Sequence, residues 1–190
     1  MDLRMALLGF LARGSRTGYE LKALMERSVG FFFGASYGSI YPALKSLAGE
    51  GLVRVEEVVQ SGRPNKKIYT ITPEGRQRFR ASLREEEPSG DVFRSEFLMH
   101  LFFGDEHDPR RLLELIGEYR SRCEARLERL RDVEEEFGKT MTPYQRMTLD
   151  FGLSHFRGRL EWIREVEDRL RSLAARDGPE QRQPRQEAQR

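Results

Sequence analysis

Apolar residues in the first fifty positions recur at helical spacing and predict three short helices. The first helix covers residues 3–12. The second begins after Thr17, which together with Glu20 three positions later has the pattern of a capping box. The third covers residues 36–50, and its last turn is followed by Gly51, a residue suited to a left-handed helix end. The apolar stripe of this third helix is formed by Ile40, Leu44 and Leu47.

The start of the third helix has two registers that the sequence leaves open. Capping at Ser39 places Pro42 in the first turn, where its missing N–H costs nothing. Capping at Ser36 makes Pro42 an interior residue and implies a mild kink. In both registers the side chains that lie off the apolar stripe include hydroxyls and one cation: Ser36, Tyr37, Ser39, Tyr41 and Lys45.

Alternating apolar and polar residues over 52–59 and 68–71 predict two β-strands. Residues 60–67 between them are rich in Gly, Pro and Asn and predict a turn, so that the two strands form a hairpin. Thr72, followed by a proline at the first helical position, then begins a fourth helix. The order of helix, helix, helix, hairpin and helix predicts a winged helix-turn-helix over residues 1–84.

Charge divides the chain into two unlike halves, although the net charge of its 190 residues is only +2. Residues 1–80 carry 13 Lys and Arg against 7 Asp and Glu, whereas residues 81–190 carry 20 against 24. Arg63, Lys66 and Lys67 all lie in the predicted hairpin turn. Exposed cations at a hairpin tip can contact phosphates or enter the minor groove of DNA. The basic half therefore favours binding to double-stranded DNA.

The predicted DNA surface joins the third helix to the hairpin. The helix would enter the major groove, where its hydroxyls can bond to phosphates or base edges and Lys45 can reach the backbone. A winged helix does not fix a function, so the alternative is a protein-interaction module that recruits a protein partner rather than DNA.

Five segments of the first half, taken in order and at consistent spacing, resemble the PadR family of bacterial transcription regulators. The segments are Thr17–Leu21, Gly38–Leu47, Glu50–Val53, Gly62–Tyr69 and Ile71–Gly75. The resemblance implies a dimeric winged-helix repressor that binds a palindromic operator, and it favours the helix start at Ser36. It also implies that two tyrosines and the wing tip belong to the DNA surface or brace it, namely Tyr19, Tyr41, Gly62, Arg63, Pro64, Lys66 and Lys67.

The second half predicts a mainly α-helical domain over residues 91–175, after a charged stretch rich in helix breakers. This half resembles the long C-terminal helical domain carried by one branch of the family. Asp108 and Thr142, each followed by proline, predict the starts of two long helices with apolar seams. Residues 176–190 have no apolar periodicity and predict a disordered tail.

The two apolar seams need partners, and two arrangements satisfy them: an antiparallel pair within one chain, or a two-fold dimer. The dimer is favoured because one winged helix covers only a few base pairs, whereas two related by symmetry read half-sites about 10 bp apart or a multiple of that. The side chains predicted to hold this homodimer are Phe97, Leu101, Leu149, Leu153, Phe156, Leu160, Ile163 and Leu170.

Several function classes are disfavoured by what the sequence contains. Cys123 is the only cysteine, which excludes an intramolecular disulfide and favours the cytoplasm. Three scattered histidines and the lack of familiar catalytic motifs predict no metal site, no cofactor and no enzyme. The longest apolar run is too short to span a membrane. Aromatic side chains of the second half suit either a dimer core or a pocket for a small aromatic effector: Phe102, Tyr119 and Trp162.

Overall fold

The computed structural model of the chain describes residues 2–59, 65–85, 87, 90 and 93–176. The chain forms two compact units, Met1–Asp91 and Val92–Arg190. Among the described residues, no helix is long and apolar enough to cross a membrane. The predictions made for the wing tip and for the C-terminal tail fall partly outside these ranges, at Gly62, Arg63, Pro64 and residues 177–190.

The N-terminal unit has the predicted order of helices and strands, with one short strand added. Its elements are α1 (Leu3–Leu11), β1 (Arg16–Thr17), α2 (Gly18–Ser28), α3 (Tyr37–Gly49), β2 (Val53–Val58), β3 (Lys66–Ile71) and α4 (Pro73–Glu85). The strands form an antiparallel sheet in the order β1-β3-β2. The sequence pattern does not predict strand β1, because two residues cannot show an alternation of apolar and polar positions. The fold is a winged helix, as the sequence predicts.

Side-chain caps begin the helices where the sequence places them. The Thr17 hydroxyl accepts a hydrogen bond from the Glu20 amide at 3.2 Å, and the Glu20 carboxylate accepts one from the Thr17 amide at 2.7 Å. Thr72 accepts a hydrogen bond from the Gly75 amide at 3.1 Å, and Gly51 adopts the predicted left-handed conformation with φ 71°. The core of this unit consists of Met5, Leu7, Leu8, Leu11, Leu21, Met25, Ile40, Leu44, Leu47, Val53, Tyr69 and Ile71.

The first turn of α4 approaches β2 so closely that only glycine fits at position 75. A Cβ on Gly75 would lie 2.1 Å from the Leu52 carbonyl oxygen, so the backbone would have to move. We expect Gly75→Ala to destabilise the N-terminal unit by about 1–3 kcal/mol. The matched control is Gly49→Ala, because a Cβ at this last residue of α3 meets no atom within 4 Å.

The control substitution is expected to stabilise the unit by about 0.5–1 kcal/mol, since alanine is the better helix former. Hydrogen exchange of the core amides of α1 and α3 measures both effects within this unit alone. Equal protection of these amides in the two variants would contradict the close approach at Gly75.

The C-terminal unit is helical. It consists of α5 (Glu96–Phe102), a short 3-10 turn (Gly104–Glu106), α6 (Pro109–Phe137) and α7 (Pro143–Arg176). Asp108 caps α6 by accepting a hydrogen bond from the Arg110 amide at 2.9 Å, as predicted from the Asp-Pro pair. Helices α6 and α7 run antiparallel, because Arg120 in the first half of α6 pairs with Glu167 in the second half of α7, while Glu134 near the end of α6 pairs with Arg146 near the start of α7.

The apolar seam of α7 packs against α6 of the same chain. Residues 138–142 form a short turn that folds α7 back, so each seam meets the other within one molecule. Of the eight side chains predicted to hold a homodimer, six are buried in the single chain, and Leu101 and Leu160 are half-buried. The six buried side chains are Phe97, Leu149, Leu153, Phe156, Ile163 and Leu170.

One charged residue lies inside this seam. Glu167 is buried, and its carboxylate accepts hydrogen bonds from Arg120 and from Arg171, each at 3.2 Å. A paired polar group among apolar contacts allows only one register between two helices, because a shifted register would leave the charge buried and unpaired. Glu167 thus contributes to fixing the α6–α7 register.

Candidate nucleic-acid interface

The exposed face of α3 carries a row of side chains spaced one helical turn apart. Tyr37, Tyr41 and Lys45 are all exposed, while the opposite face buries the predicted apolar stripe in the core. Spacings of four residues place these three side chains above one another on the same face. The structure therefore brings two hydroxyls and one cation onto one line along α3.

The first turn of α3 is closed by its own serines. Helix α3 begins after Ser36, and Pro42 lies inside the helix, so the kinked register is the one observed. The Ser39 hydroxyl accepts a hydrogen bond from the Ser36 amide at 3.0 Å and donates one to the Ser36 carbonyl at 2.9 Å. Both hydroxyls are thus used in the cap, since the Ser36 hydroxyl donates a hydrogen bond to that of Ser39 at 3.2 Å, and Ser36 is exposed at the helix entrance.

Three tyrosine rings from two helices lie in a stacked array. The rings of Tyr19 and Tyr37 are 6.4 Å apart between centroids with planes inclined by 21°, and those of Tyr37 and Tyr41 are 6.4 Å apart at 17°. All three side chains are exposed. Tyr37 is the middle ring and neighbours both of the others. We call Tyr19, Tyr37 and Tyr41 the tyrosine array.

Two residues of α2 that the sequence analysis did not single out as site residues contact this array. The Lys22 ammonium lies 4.3 Å from the centroid of the Tyr37 ring. Gly18 lies beneath Tyr41, where a Cβ would come within 2.7 Å of the ring. The sequence places both residues on α2 at helical spacing from the capping box. Which tyrosine ring each of them contacts depends on how α2 packs against α3.

Two of the predicted wing cations lie in the described part of the wing. Lys66 and Lys67 begin β3 and are exposed, opposite Val58 and Glu57 of β2. Hydrogen bonding from the Thr17 backbone lowers the pKa of Glu20, and the nearby charges of Lys66 and Arg16 lower it further. The base of the wing and the start of α2 are therefore electrostatic neighbours.

The C-terminal unit contains an open cavity of about 470 Å³. Its lining residues are Phe93, Leu98, Tyr119, His155, Arg159 and Trp162. The Arg159 guanidinium lies over aromatic rings, 5.5 Å from the centroid of Phe93 and 5.8 Å from that of Tyr119. Of the three predicted effector contacts, Tyr119 and Trp162 line the cavity, whereas Phe102 is not among the lining residues and is 79% exposed.

Burial sets the protonation of the groups around this cavity. Burial raises the pKa of the Tyr119 hydroxyl and of the Cys123 thiol above their ordinary values, so both stay neutral at pH 7. Burial lowers the pKa of His155, and the neighbouring Arg159 lowers it further, which favours the neutral imidazole. The Arg159 guanidinium therefore lies beside neutral side chains in the cavity lining. In the part of the chain that the structure describes, no cluster of three His, Cys, Asp or Glu residues could hold a metal ion.

Comparison with known proteins assigns both units. Residues 7–81 match the Transcriptional regulator PadR-like family, and residues 93–171 match the Virulence activator alpha C-term family. The crystal structure of a PadR-like transcriptional regulator from Bacillus cereus is 32% identical, with a TM-score of 0.80, and the match covers 90% of this chain and 98% of that one. The chain belongs to the PadR-like family. The resemblance seen in the sequence motifs is confirmed.

Relatives within the PadR-like family include the Negative transcriptional regulator PadR of Bacillus subtilis. It is 27% identical over 150 residues, which are 79% of this chain and 82% of that protein. Crystal structures of Bacillus subtilis PadR in complex with operator DNA and with p-coumaric acid share the fold, with TM-scores of 0.74 and 0.68 at 24% identity. They cover 88% and 89% of this chain and 98% of theirs. The chain is a DNA-binding transcriptional regulator and not an enzyme.

Proposed function

We propose that this PadR-like regulator is a homodimeric repressor that binds a palindromic operator and responds to a small aromatic effector. The observation that carries the proposal is the tyrosine array, which presents three exposed hydroxyls beside the wing, two from α3 and one from α2. Residues 1–84 act as the DNA-binding domain and residues 91–175 as the dimerisation domain. The operator complex of Bacillus subtilis PadR, which has the same fold, supports this assignment.

The proposed DNA surface combines α3 with the wing. Tyrosine and serine hydroxyls donate hydrogen bonds to phosphates or base edges, and lysines neutralise phosphates. Arg63, in the segment of the sequence between β2 and β3, adds a guanidinium suited to a narrow minor groove. The surface comprises Tyr19, Ser36, Tyr37, Ser39, Tyr41, Lys45, Gly62, Arg63, Pro64, Lys66 and Lys67, with Ser39 acting through the cap of α3.

The proposed dimer contact is an apolar stripe on the first half of α7, rather than the seam that faces α6. Tyr144, Met147 and Phe151 lie at spacings of three and four residues and are 78%, 64% and 60% exposed. Large apolar side chains grouped on one helical face are uncommon on the surface of a monomer and mark association sites. A second copy suits this stripe because an isologous contact places two DNA-binding units about one two-fold axis.

Selection of bound fragments from the source genome by the purified protein tests the proposal. We expect fragments that share an inverted repeat, with half-site centres separated by about 10 bp or a multiple of it. A direct repeat or a single half-site would contradict the symmetric dimer. Failure to retain any fragment at low salt would contradict operator binding and support the protein-interaction alternative. Transcription from a selected promoter in vitro should fall on addition of the protein, and a rise would contradict repression.

The cavity supports the effector part of the proposal. Its volume of about 470 Å³ lies within the range of small-molecule sites, and its walls are aromatic around one fixed guanidinium. That combination suits a planar ring bearing a negative charge, and p-coumaric acid, which Bacillus subtilis PadR binds, is such a molecule. An effector releases DNA only if it binds the DNA-incompetent conformation more tightly.

We expect p-coumaric acid to change the fluorescence of Trp162, the only tryptophan of the chain, because this residue lines the cavity. Arg159→Leu should weaken the apparent binding by at least about tenfold, since the carboxylate then loses its charged partner. Arg159→Lys, which keeps the charge, is the matched control and should bind more tightly than the leucine variant. Equal affinity of the leucine variant and the wild type would contradict binding through Arg159.

A further inference from the structure

Lys22 of α2 is a cation whose side chain is directed at an aromatic ring instead of at solvent. Only 14% of its side chain is exposed, and its ammonium lies 4.3 Å from the centroid of the Tyr37 ring. The same ammonium forms an ion pair with Glu26, one turn further along α2. The hydrogen bond to Glu26 raises the pKa of Lys22, so the side chain stays cationic. A cation over a ring face is attracted by the ring's negative π-surface.

We propose that Lys22 is a positioning residue for DNA recognition, which holds the Tyr37 ring in place and thereby orders the tyrosine array. The inference rests on the proposed DNA surface and adds a residue outside it. Tyr37 is the middle ring, 6.4 Å from each of its neighbours, so a fixed Tyr37 limits the orientations open to Tyr19 and Tyr41. An array ordered before binding loses less side-chain entropy when it meets DNA.

Gly18 is the second residue of α2 that contacts the tyrosine array. The Tyr41 ring occupies the space that a side chain at position 18 would need, because a Cβ on residue 18 would lie 2.7 Å from the ring. Helix α2 therefore contacts the array at two points one turn apart: the backbone of Gly18 meets Tyr41, and the ammonium of Lys22 meets Tyr37. The outer ring, Tyr19, lies on α2 itself. This arrangement makes α2 the support that sets the geometry of the rings on α3.

A positioning role and a direct phosphate contact predict different results for Lys22→Met. A phosphate contact contributes about 0.9 to the slope of log K against log salt, so its loss would lower the slope by about that amount. A positioning role predicts affinity about fivefold to tenfold lower with the slope unchanged. Arg78→Met removes one exposed charge from α4, outside the proposed surface, and controls for the general loss of charge.

A double-mutant cycle with Tyr37→Leu isolates the contact between the two residues. Binding is measured by fluorescence anisotropy on a fragment that the wild type selects. If Lys22 acts through Tyr37, the double variant binds no more weakly than Tyr37→Leu alone, and Lys22→Arg, which keeps the cation, stays within about twofold of the wild type. Additive losses, or a slope lower by about 0.9 relative to Arg78→Met, would overturn the proposal.

A second readout needs no DNA, and it separates this inference from the proposed function. In protein labelled with 3-fluorotyrosine, the ¹⁹F resonance of Tyr37 should shift toward the free amino acid in Lys22→Met and remain in place in Lys22→Arg. An unchanged resonance in Lys22→Met would overturn the positioning role even where the wild type binds its operator. A shifted resonance in a protein that binds no DNA would support the array and contradict only the operator function.

Discussion

Reversing the charge of both wing lysines, Lys66→Glu with Lys67→Glu, is expected to weaken operator binding more than about 100-fold at 0.1 M salt. Both side chains are exposed at the start of β3, where they can neutralise phosphates. Each phosphate contact releases about 0.9 counterions, and glutamate adds repulsion to the loss. The neutral pair Lys66→Gln with Lys67→Gln should lower the slope of log K against log salt by about 2, measured by anisotropy between 50 and 200 mM salt.

The matched control for this prediction changes the net charge equally at another place. Arg164 and Arg169 are exposed on α7 in the C-terminal unit, and Arg164→Glu with Arg169→Glu also makes the chain more negative by four charges. We expect this variant to lose less than about threefold in affinity, because screened charges outside the contact act weakly. Equal losses in the two variants would show an effect of net charge alone and would contradict a phosphate contact by the wing.

The parts of the fold that the sequence predicts are those fixed by local chemistry. Thr17 and Glu20 close a capping box three residues apart, and Asp108 before a proline begins α6, because each bond joins neighbours in the chain. The start of α3 is different, since two serines three residues apart offer two caps. The family resemblance favours Ser36, and the structure places the start of α3 there.

The sequence alone does not identify which helix packs against the apolar seam of α7, and the reason is physical. Apolar residues at heptad-like spacing show that a helix packs along one face, but the same spacing serves a helix of the same chain or of a second one. Glu167 lies in that face, and the partner that decides its role, Arg120, is 47 residues away. A charge within an apolar stripe signals a paired site, and the pair itself appears only once α6 and α7 are folded together.

The candidate site likewise has one part that spacing in the sequence predicts and another that depends on tertiary packing. Tyr37, Tyr41 and Lys45 can be placed on one face of α3 from spacing alone. Their contacts with α2 depend on tertiary packing, so spacing along the sequence does not identify Lys22 as a residue of the site. Arg159 of the cavity carries a signal that was available, since it stands four residues after His155 and three before Trp162 on one face of α7.

The second large effect is expected from placing charge on the α7 stripe. Met147→Glu with Phe151→Glu should convert the protein from a dimer to a monomer of 22.2 kDa. In an isologous contact each substitution occurs twice, so four glutamates face one another across the two-fold axis. Like charges brought together in an interface cost several kcal/mol, enough to weaken association more than about 100-fold. Sedimentation equilibrium over a range of protein concentrations measures the mass.

Both substituted side chains are more than half exposed, so the fold of the single chain should persist, and circular dichroism checks it. The monomer is expected to lose affinity for the full operator by more than about 100-fold, while its affinity for an isolated half-site stays within about threefold of the wild type. Arg164→Glu with Arg169→Glu also adds two glutamates to α7, outside the stripe, and makes the chain more negative by four charges rather than two, yet it should remain dimeric. A dimer that withstands the glutamates would place the contact elsewhere on the chain, because an interface through this stripe cannot accommodate four buried, unpaired charges.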